Sequence, residues 1–371
     1  MSFHDTFLQI PRDELLLKIY STADHDVEYA LSNSERNLDS LLCLLSPAAE
    51  KYIEQMAQKS VELTRQRFGS TIGMYLPLYL SNLCANECDY CGFSMTNKIK
   101  RKVLTLDEIQ AEMQVIKSRG FDSILLVAGE HETKVGIEYF KKVLPEVKKH
   151  FSYVALEVQP LSTQEYKQLV ELGLDAVMVY QETYQPITYH HHHVRGNKSD
   201  FLYRLKTPER LGEAKVDKIG LGVLLGLDDW RLDALLMGYH LQYLEKKYWR
   251  SRFSVSLPRL RPCVGGVQPK VELTDIGLVQ LISAFRLFNP QIDISISTRE
   301  RAEFRDQIMP LGITQASAGS STEPGGYLHP DHELNQFEIS DQRPVDCVSE
   351  AMKQHGLVPV FKDWENSWIT V

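Results

Sequence analysis

The chain has 371 residues, 43% of them hydrophobic, with 41 lysines and arginines against 49 aspartates and glutamates, a formal net charge of -8. That is enough apolar residue to bury a large core in one to three domains, and an acidic chain with no basic face or tail excludes a nucleic-acid footprint. The longest apolar stretches, around Ile124–Ala128 and Ile219–Leu227, are far too short to span a bilayer. The opening residues MSFHDTFLQIPRDELL lack the basic start and apolar core of a secretory signal, so the chain is expected in the cytoplasm.

Up to about Gly69 the pattern is helical. Leu15, Leu16, Ile19 and Tyr20 recur at helix spacing, as do Leu38, Leu41, Leu42 and Leu45. Asp13 and Ser46 are the expected caps, with Pro47 in the first turn after Ser46. From about Gly73 short apolar runs alternate with amphipathic stretches. The expected strands are Met74–Leu80, Ile124–Ala128, Tyr153–Val158, Ala176–Tyr180, Ile219–Leu224, Phe253–Leu257, Ile292–Ile296 and a weaker one near Ile313–Gln315. Helical segments lie between them at Thr105–Arg119, Thr163–Leu172, Pro208–Ala214 and Asp233–Tyr248. Thr105, Asp107 and Glu108 open the first of these as a capped N-terminus and Gly120 closes it. Alternating strands and helices imply a parallel sheet, and about eight repeats over roughly 250 residues imply a (β/α)8 barrel, with a doubly wound open sheet as the alternative. The expected organisation is a helical region at 1–70, the barrel at 71–325, and a tail at 326–371 packed on the barrel, to which Trp364 and Trp368 would contribute. In a barrel, functional residues sit just after the strand C-termini.

Six cysteines are spread unevenly: three fall within CANECDYC, and Cys43, Cys263 and Cys347 stand alone. A secreted disulfide framework uses far more cysteine per residue, so clustered thiols point to a reducing compartment and a metal centre. Cys84, Cys88 and Cys91 directly follow the first strand. Three thiolates bind three irons of a 4Fe–4S cube and leave the fourth open. A structural zinc site on a non-catalytic scaffold is the competing reading; it needs a fourth ligand from a distant cysteine or a histidine.

CANECDYC resembles the CxxxCxΦC signature of the radical S-adenosylmethionine (SAM) superfamily, with Tyr90 in the aromatic place that this resemblance puts against adenine. The resemblance implies that the open iron binds the amino and carboxylate groups of SAM. It extends to Ala128, Gly129 and Glu130, which look like the GGE motif whose carbonyls hold the SAM amino group, with alanine in place of the first glycine. Tyr180, Gln181 and Glu182 fall where the ribose and adenine are bound. Arg210 resembles the arginine that binds the SAM carboxylate in biotin-synthase-like enzymes, with Arg204 as its rival. Gly222, within IGLGVLLG, falls on the adenine-contacting strand. Glu157, at the end of the third strand, is a candidate contact for SAM or substrate.

Longer blocks narrow the resemblance. YLPLYLSNLCANECDYCGFSMTNKIKRK, LEVQPL, VMVYQETY, FSVSLPRLRPCVGG, ISISTRE and SAGSSTEPGGY, in this order, together resemble the 2-iminoacetate synthases. These are the tyrosine lyases of bacterial thiamine thiazole biosynthesis. The activity implied is cleavage of L-tyrosine between Cα and Cβ to 2-iminoacetate and 4-cresol, with SAM giving methionine and 5′-deoxyadenosine. A 5′-deoxyadenosyl radical would take hydrogen from the tyrosine amine. The cofactors implied are a 4Fe–4S cluster with one open iron and SAM. The partners implied are thiazole synthase, because an imine hydrolyses readily, and a flavodoxin-like or similar electron donor. Arg299 is expected to clamp the substrate carboxylate, an ion pair with Glu300 or Glu303 being its structural alternative. Arg259, Arg261, Ser317 and Ser320 are further substrate candidates at the same mouth. Among related lyases, the hydrogenase-maturation type carries a second cluster, for which three cysteines are lacking after Cys263; a tryptophan lyase is the other option. His190–His193 reads as a loop rather than a metal site, and Lys98, Lys100, Arg101 and Lys102 as a solvated face or a dock for an acidic donor.

Overall fold

The computed structural model describes residues 2–33, 35–331 and 335–362; Trp364 and Trp368 lie outside the described residues. Eight parallel strands close into a barrel: β1 Thr71–Ser81, β2 Ser123–Ala128, β3 Tyr153–Glu157, β4 Ala176–Met178, β5 Lys218–Gly222, β6 Arg252–Ser256, β7 Asp293–Ile296 and β8 Gln315–Ser317. Neighbours in sequence are neighbours in the sheet, and β8 returns to β1 with Gly73 opposite Gln315 and Tyr75 opposite Ser317. Each expected strand is present, with ends shifted by up to three residues. The eighth is displaced furthest, because a Gly312 turn and Thr314, bonded to Asp293, precede it. A ninth strand, β9 Val358–Val360, pairs in parallel with the start of β1.

The strands alternate as the pleat requires. Along β1, Ile72, Met74, Leu76 and Leu78 are buried outward against helices, while Tyr75, Pro77 and Tyr79 point into a cavity in the barrel. Two glycines of β5 make the interior fit: a Cβ on Gly220 would lie 2.0 Å from Met178 Sδ, and one on Gly222 would lie 2.4 Å from Tyr180 Cδ1. Thr105 caps the helix Leu106–Ser118 through a reciprocal bond with Glu108, and Gly120 turns the chain at φ 89°.

The N-terminal region forms five α-helices, Phe3–Gln9, Arg12–Ser21, Asp24–Ser32, Leu38–Leu45 and Ile53–Phe68. They clasp the outer helices Trp230–Lys247 and Asp275–Phe288. Phe3 stacks on His240 at 3.8 Å, and Gln280 donates to the carbonyls of Leu44 and Ser46 at 2.9 and 2.8 Å. Asp13 is not a cap: that helix starts at Arg12 behind Pro11, which fixes the entry without a side-chain acceptor.

The barrel floor is held by an ion pair. Lys218 on β5 meets Asp293 on β7 at 2.5 Å, with the two side chains only 4% and 14% exposed, and Thr314 donates to the same carboxylate at 2.8 Å. Burial raises the carboxyl of Asp293, but Lys218 outweighs it and the net shift is downward. Asp293→Ala strands a buried ammonium, so urea unfolding is expected to show a loss of about 3–5 kcal/mol. A depressed carboxylate stabilises the fold above its unfolded pKa of about 3.9 and ceases to do so as pH falls through the lower folded value. The wild type should therefore lose this contribution below about pH 4, while the variant lacks it at every pH.

Candidate active site

At the top of β1 the chain leaves the barrel into the loop that carries Cys84, Cys88 and Cys91. Glu87–Cys88 forms a two-stranded ribbon with His193–Arg195. Arg101 pins the loop from beneath, donating to the carbonyls of Asn82, Phe93, Ser94 and Asn97 at 2.7 to 3.0 Å. Arg101 therefore does not belong to a solvated basic face. Lys100 and Lys102 instead sit near Asp331 and Glu108 at 3.6 and 3.4 Å. Gln336 donates to Cys91 Sγ at 3.7 Å.

The three thiols interact electrostatically with one another, and burial pushes each of them up, Cys84 to about 11, against the lowering charge of Lys198 at Cys88 and Cys91. Buried thiols of this kind become thiolates when metal cations supply the opposing charge. Among the described residues the one His, Cys, Asp or Glu trio with ligand atoms all within 4.8 Å is Asp89, His191 and His192. Cys84, Cys88 and Cys91 do not form such a trio, so their sulfurs are not all gathered as closely as in a tetrahedral zinc–thiolate site, whose edge is about 3.8 Å for a Zn–S bond of about 2.3 Å. Three soft thiol ligands on one loop are the donor set of an iron–sulfur cube with one open iron.

The second strand delivers Ala128, Gly129 and Glu130 directly behind this loop. Gly129 N donates to Ser81 O at 2.9 Å, and a Cβ on Gly129 would sit 2.5 Å from Leu83 O and 3.2 Å from Cys84 Cβ. The glycine lets the cysteine loop approach the strand. Glu130 accepts from Asn86 in the loop at 2.8 Å and from Arg204 at 2.9 Å. Its burial raises the carboxyl, but Arg204 and Lys198 more than offset this, so Glu130 is held ionised. Glu182 stands at φ 70°, just beyond β4, and accepts from Lys198 at 2.7 Å, with Arg204 at 3.8 Å. Asp233 fixes this turn from behind by accepting from Thr183 Oγ1 at 3.0 Å and Tyr184 N at 2.8 Å. Gln181 is buried in the same turn and donates its N–H to Gly222 O at 3.1 Å.

Tyr90 projects from the cysteine loop with its hydroxyl 2.6 Å from His193 Nε2. His193 Nδ1 lies 2.6 Å from Tyr189 O, an acceptor only, so Nδ1 carries the proton and Nε2 receives the Tyr90 hydroxyl. Burial holds this imidazole well below its ordinary pKa, hence neutral. The histidine run is therefore not a loop. Pro186–His192 is helical, His192 bonds Asp89 at 2.8 Å, and His193 orients Tyr90.

Beneath the loop lies a cavity of about 140 Å³. Tyr75, Tyr79, Tyr90, Cys91, Glu157, Tyr180, Glu182, Lys198, Arg299, Ser317 and Ser320 contribute to its walls. The Arg299 guanidinium rests 3.4 Å from the Phe337 ring centroid, and no described carboxylate lies within the 4.0 Å of an ion pair. Glu300, its expected structural partner, pairs with Arg259 instead. Ser320 has a buried hydroxyl with no partner among the described residues, and a wider groove of about 960 Å³ opens beyond Ser320 and Phe337.

Three expected arginines do not line this cavity, and Glu130 lines a neighbouring one with Arg204. Arg210 donates to Leu161 O, Tyr203 O and Thr207 Oγ1 at 2.8 to 2.9 Å and stacks 3.9 Å from the Tyr203 ring centroid; it locks a helix, and Arg204 occupies the mouth in its place. Arg259 is consumed by Glu300 and by Asp275 at 2.9 Å. Arg261 reaches Ser340 in the C-terminal segment. Lys198, Asn86 and Gln336 join the site without any expectation from sequence. Lys198 and Gln336 come from irregular segments far along the chain, which no periodicity marks. Asn86 sits inside the cysteine motif, where polarity alone made it visible.

Comparison with known proteins agrees with this geometry. Residues 78–237 match the model of the radical SAM superfamily, and residues 256–358 that of the biotin and thiamin synthesis associated domain. The 2-iminoacetate synthase of Escherichia coli K12 is 51% identical over 366 residues, covering 98% of this chain and 97% of the relative. That of Salmonella typhimurium is also 51% identical, covering 99% and 98%. Among solved structures, the FeFe-hydrogenase maturase HydG from Carboxydothermus hydrogenoformans superposes with a TM-score of 0.83 at 29% identity, covering 96% of this chain and 82% of that one. Methylornithine synthase, at a TM-score of 0.70 and 20% identity, shares the fold.

Gly129→Ala forces a methyl group against the cysteine loop. Anaerobic iron–sulfur reconstitution is expected to return at most half the wild-type iron per chain, with far-ultraviolet circular dichroism unchanged. Full iron loading would show that the loop does not need this close approach.

Proposed function

The chain belongs to the 2-iminoacetate synthase family of radical SAM enzymes, and from that membership we propose how its own residues serve the family's reaction. It is a carbon–carbon lyase with a 4Fe–4S cluster and SAM as cofactors. L-Tyrosine is cleaved between Cα and Cβ to 2-iminoacetate and 4-cresol, SAM is converted to methionine and 5′-deoxyadenosine, and the imine enters the thiazole of thiamine. The observation that carries the reading is three thiols on one loop, tied through Asn86 to the buried Glu130–Arg204 pair, beside the cavity that Cys91, Glu182 and Arg299 line.

When bound, the cluster and SAM together supply the 5′-deoxyadenosyl radical that removes a hydrogen atom from the tyrosine amine. Cys84, Cys88 and Cys91 would hold three irons. The carbonyls of Ala128 and Gly129 and the ordered carboxylate of Glu130 would receive the SAM amino group. Glu182 would accept from the ribose hydroxyls, which are neutral donors to an ionised acceptor. Tyr90, fixed by His193, and Gly222, with Tyr180 and Gln181 beside it, shape the adenine end. Arg204 takes the place at the mouth expected for Arg210.

Substrate recognition falls to Arg299. Its guanidinium is backed by Phe337 and pairs with no carboxylate among the described residues, so a bidentate bond to the amino-acid carboxylate is available. Ser317 and the unpartnered hydroxyl of Ser320 lie alongside. The tyrosine-lined walls exclude water, which protects a radical from solvent hydrogen donors and an imine from hydrolysis.

The division into residues 1–70, 71–325 and 326–371 is retained as part of this reading. So are a cytoplasmic location, a flavodoxin-like electron donor, and a complex with a thiazole synthase that receives the short-lived imine. Among the described residues no helix is long and apolar enough to cross a membrane.

Reconstituted anaerobically and given dithionite, SAM and tyrosine, the protein is expected to form 5′-deoxyadenosine and 4-cresol, both measured by mass spectrometry. Cys88→Ala should form neither. 5′-Deoxyadenosine without 4-cresol, or faster turnover with tryptophan, would contradict tyrosine as the substrate. Arg299→Lys keeps the charge but loses the fork, and should raise the tyrosine KM at least tenfold in the same assay.

A further inference from the structure

One titratable group of the cavity has no task in the account so far. Glu157 is the last residue of β3, and Arg299 lies three residues beyond β7. In a closed barrel of eight strands, the third and seventh stand opposite each other. Carboxylate and guanidinium therefore look at one another across the cavity, and Arg299 is the strongest charge acting on Glu157. Between them the wall is aromatic: Tyr75 and Tyr79 from β1, and Tyr180 beyond β4. Tyr180 and Ser256 lie on the same wall, and the Tyr180 hydroxyl beside Glu157 favours its carboxylate.

A tyrosine gripped by its carboxylate at Arg299, with its amine toward the mouth, extends its ring across this aromatic wall. Its phenol then ends at the opposite side of the barrel. We propose that Glu157 receives the phenolic hydroxyl of the substrate and takes up its proton as the Cα–Cβ bond breaks. This rests on tyrosine being the substrate. The phenol O–H bond breaks, an O–H bond forms on Glu157, and the electron pair stays on the phenol oxygen. No oxidant or reductant is consumed in that step; the 4-oxidobenzyl radical it releases then takes one electron from the external electron donor and a proton at its benzylic carbon, and the phenol oxygen is reprotonated as 4-cresol leaves. Negative charge developing on the para oxygen stabilises the benzylic fragment, so proton uptake lowers the barrier to fragmentation rather than to hydrogen abstraction.

The surroundings suit a base. Burial pushes the carboxyl of Glu157 up to about 7, with Arg299 and Lys198 opposing and Glu182 adding to the rise. Tyr75, Tyr79 and Tyr180 also face it and stay protonated, since burial raises all three. A free phenol has a pKa of about 10, so transfer is uphill before the bond breaks and becomes favourable only as it breaks. Such positioned proton transfers contribute about 10²–10⁴-fold.

Glu157→Gln keeps the shape and removes the base. With tyrosine it should still form substrate-dependent 5′-deoxyadenosine, while 4-cresol formation falls by about 10²-fold or more. Ring-fluorinated tyrosines, whose phenols ionise nearer neutrality, should recover most of that loss at pH 8. The wild type should show an acid limb near pH 7 in kcat/KM that the variant lacks. Glu157→Asp, checked for iron content and melting temperature, should lie between the two. Equal 4-cresol yields from wild type and Glu157→Gln, or an equal loss with fluorinated and natural tyrosine, would overturn the proposal and leave the lyase reading intact. Absence of tyrosine-dependent 5′-deoxyadenosine from the wild type itself would overturn both.

Discussion

Above the barrel two carboxylates and two cations are buried together: Glu130 with Arg204, and Glu182 with Lys198. Each arrives on a different element. Glu130 lies two residues beyond β2, Glu182 follows β4, Lys198 lies in a short 3-10 turn, and Arg204 is on the helix Phe201–Leu205. Asn86 adds the cysteine loop to the group, donating to Glu130 at 2.8 Å and accepting from Lys198 N at 2.9 Å. Burying any one of these charges alone is prohibitive, so each is tolerated because the others are present. The positions of the cysteine loop, the end of β2 and the turn after β4 are thereby made interdependent. Such networks add little net stability, but they specify one arrangement.

The same economy of charge explains the sorting of the arginines. Arg259, Arg261 and Arg210 are bonded within the protein, as are Arg305 to Asp341 and Arg343 to Asp306. Arg299 differs: it stacks on an aromatic ring and faces the cavity with its donors available. A barrel floor closed by Lys218 and Asp293, and an aromatic interior above it, leave the mouth as the polar end. Chemistry that needs a dry chamber and one fixed carboxylate clamp is confined there.

Much of this was legible in the chain. The cysteine motif immediately after the first strand, the period of strands and helices, and Gly129 and Gly222 all depend on local spacing. The barrel followed from that spacing. What stayed hidden depends on contacts between distant segments. Arg204 and Arg210 have the same chemistry six residues apart, and only the path of the short helix decides which faces the mouth. Lys198 lies in GNKSD, a stretch without pattern, and is placed by Gly196, whose φ of 93° and closeness to Ala85 O fit it against the cysteine loop. Four adjacent histidines read as a loop because their side chains diverge. That divergence is their use, since His192 turns to Asp89 and His193 to Tyr90.

The central claim is that the three thiols of one loop at the barrel mouth hold a cluster whose open iron meets SAM. Electron paramagnetic resonance of the reconstituted, dithionite-reduced protein tests it most directly. The account requires a spin-half 4Fe–4S signal whose g values shift when SAM is added, and the loss of that signal in Cys91→Ala. A colourless protein containing stoichiometric zinc, or a cluster signal indifferent to SAM, would contradict it.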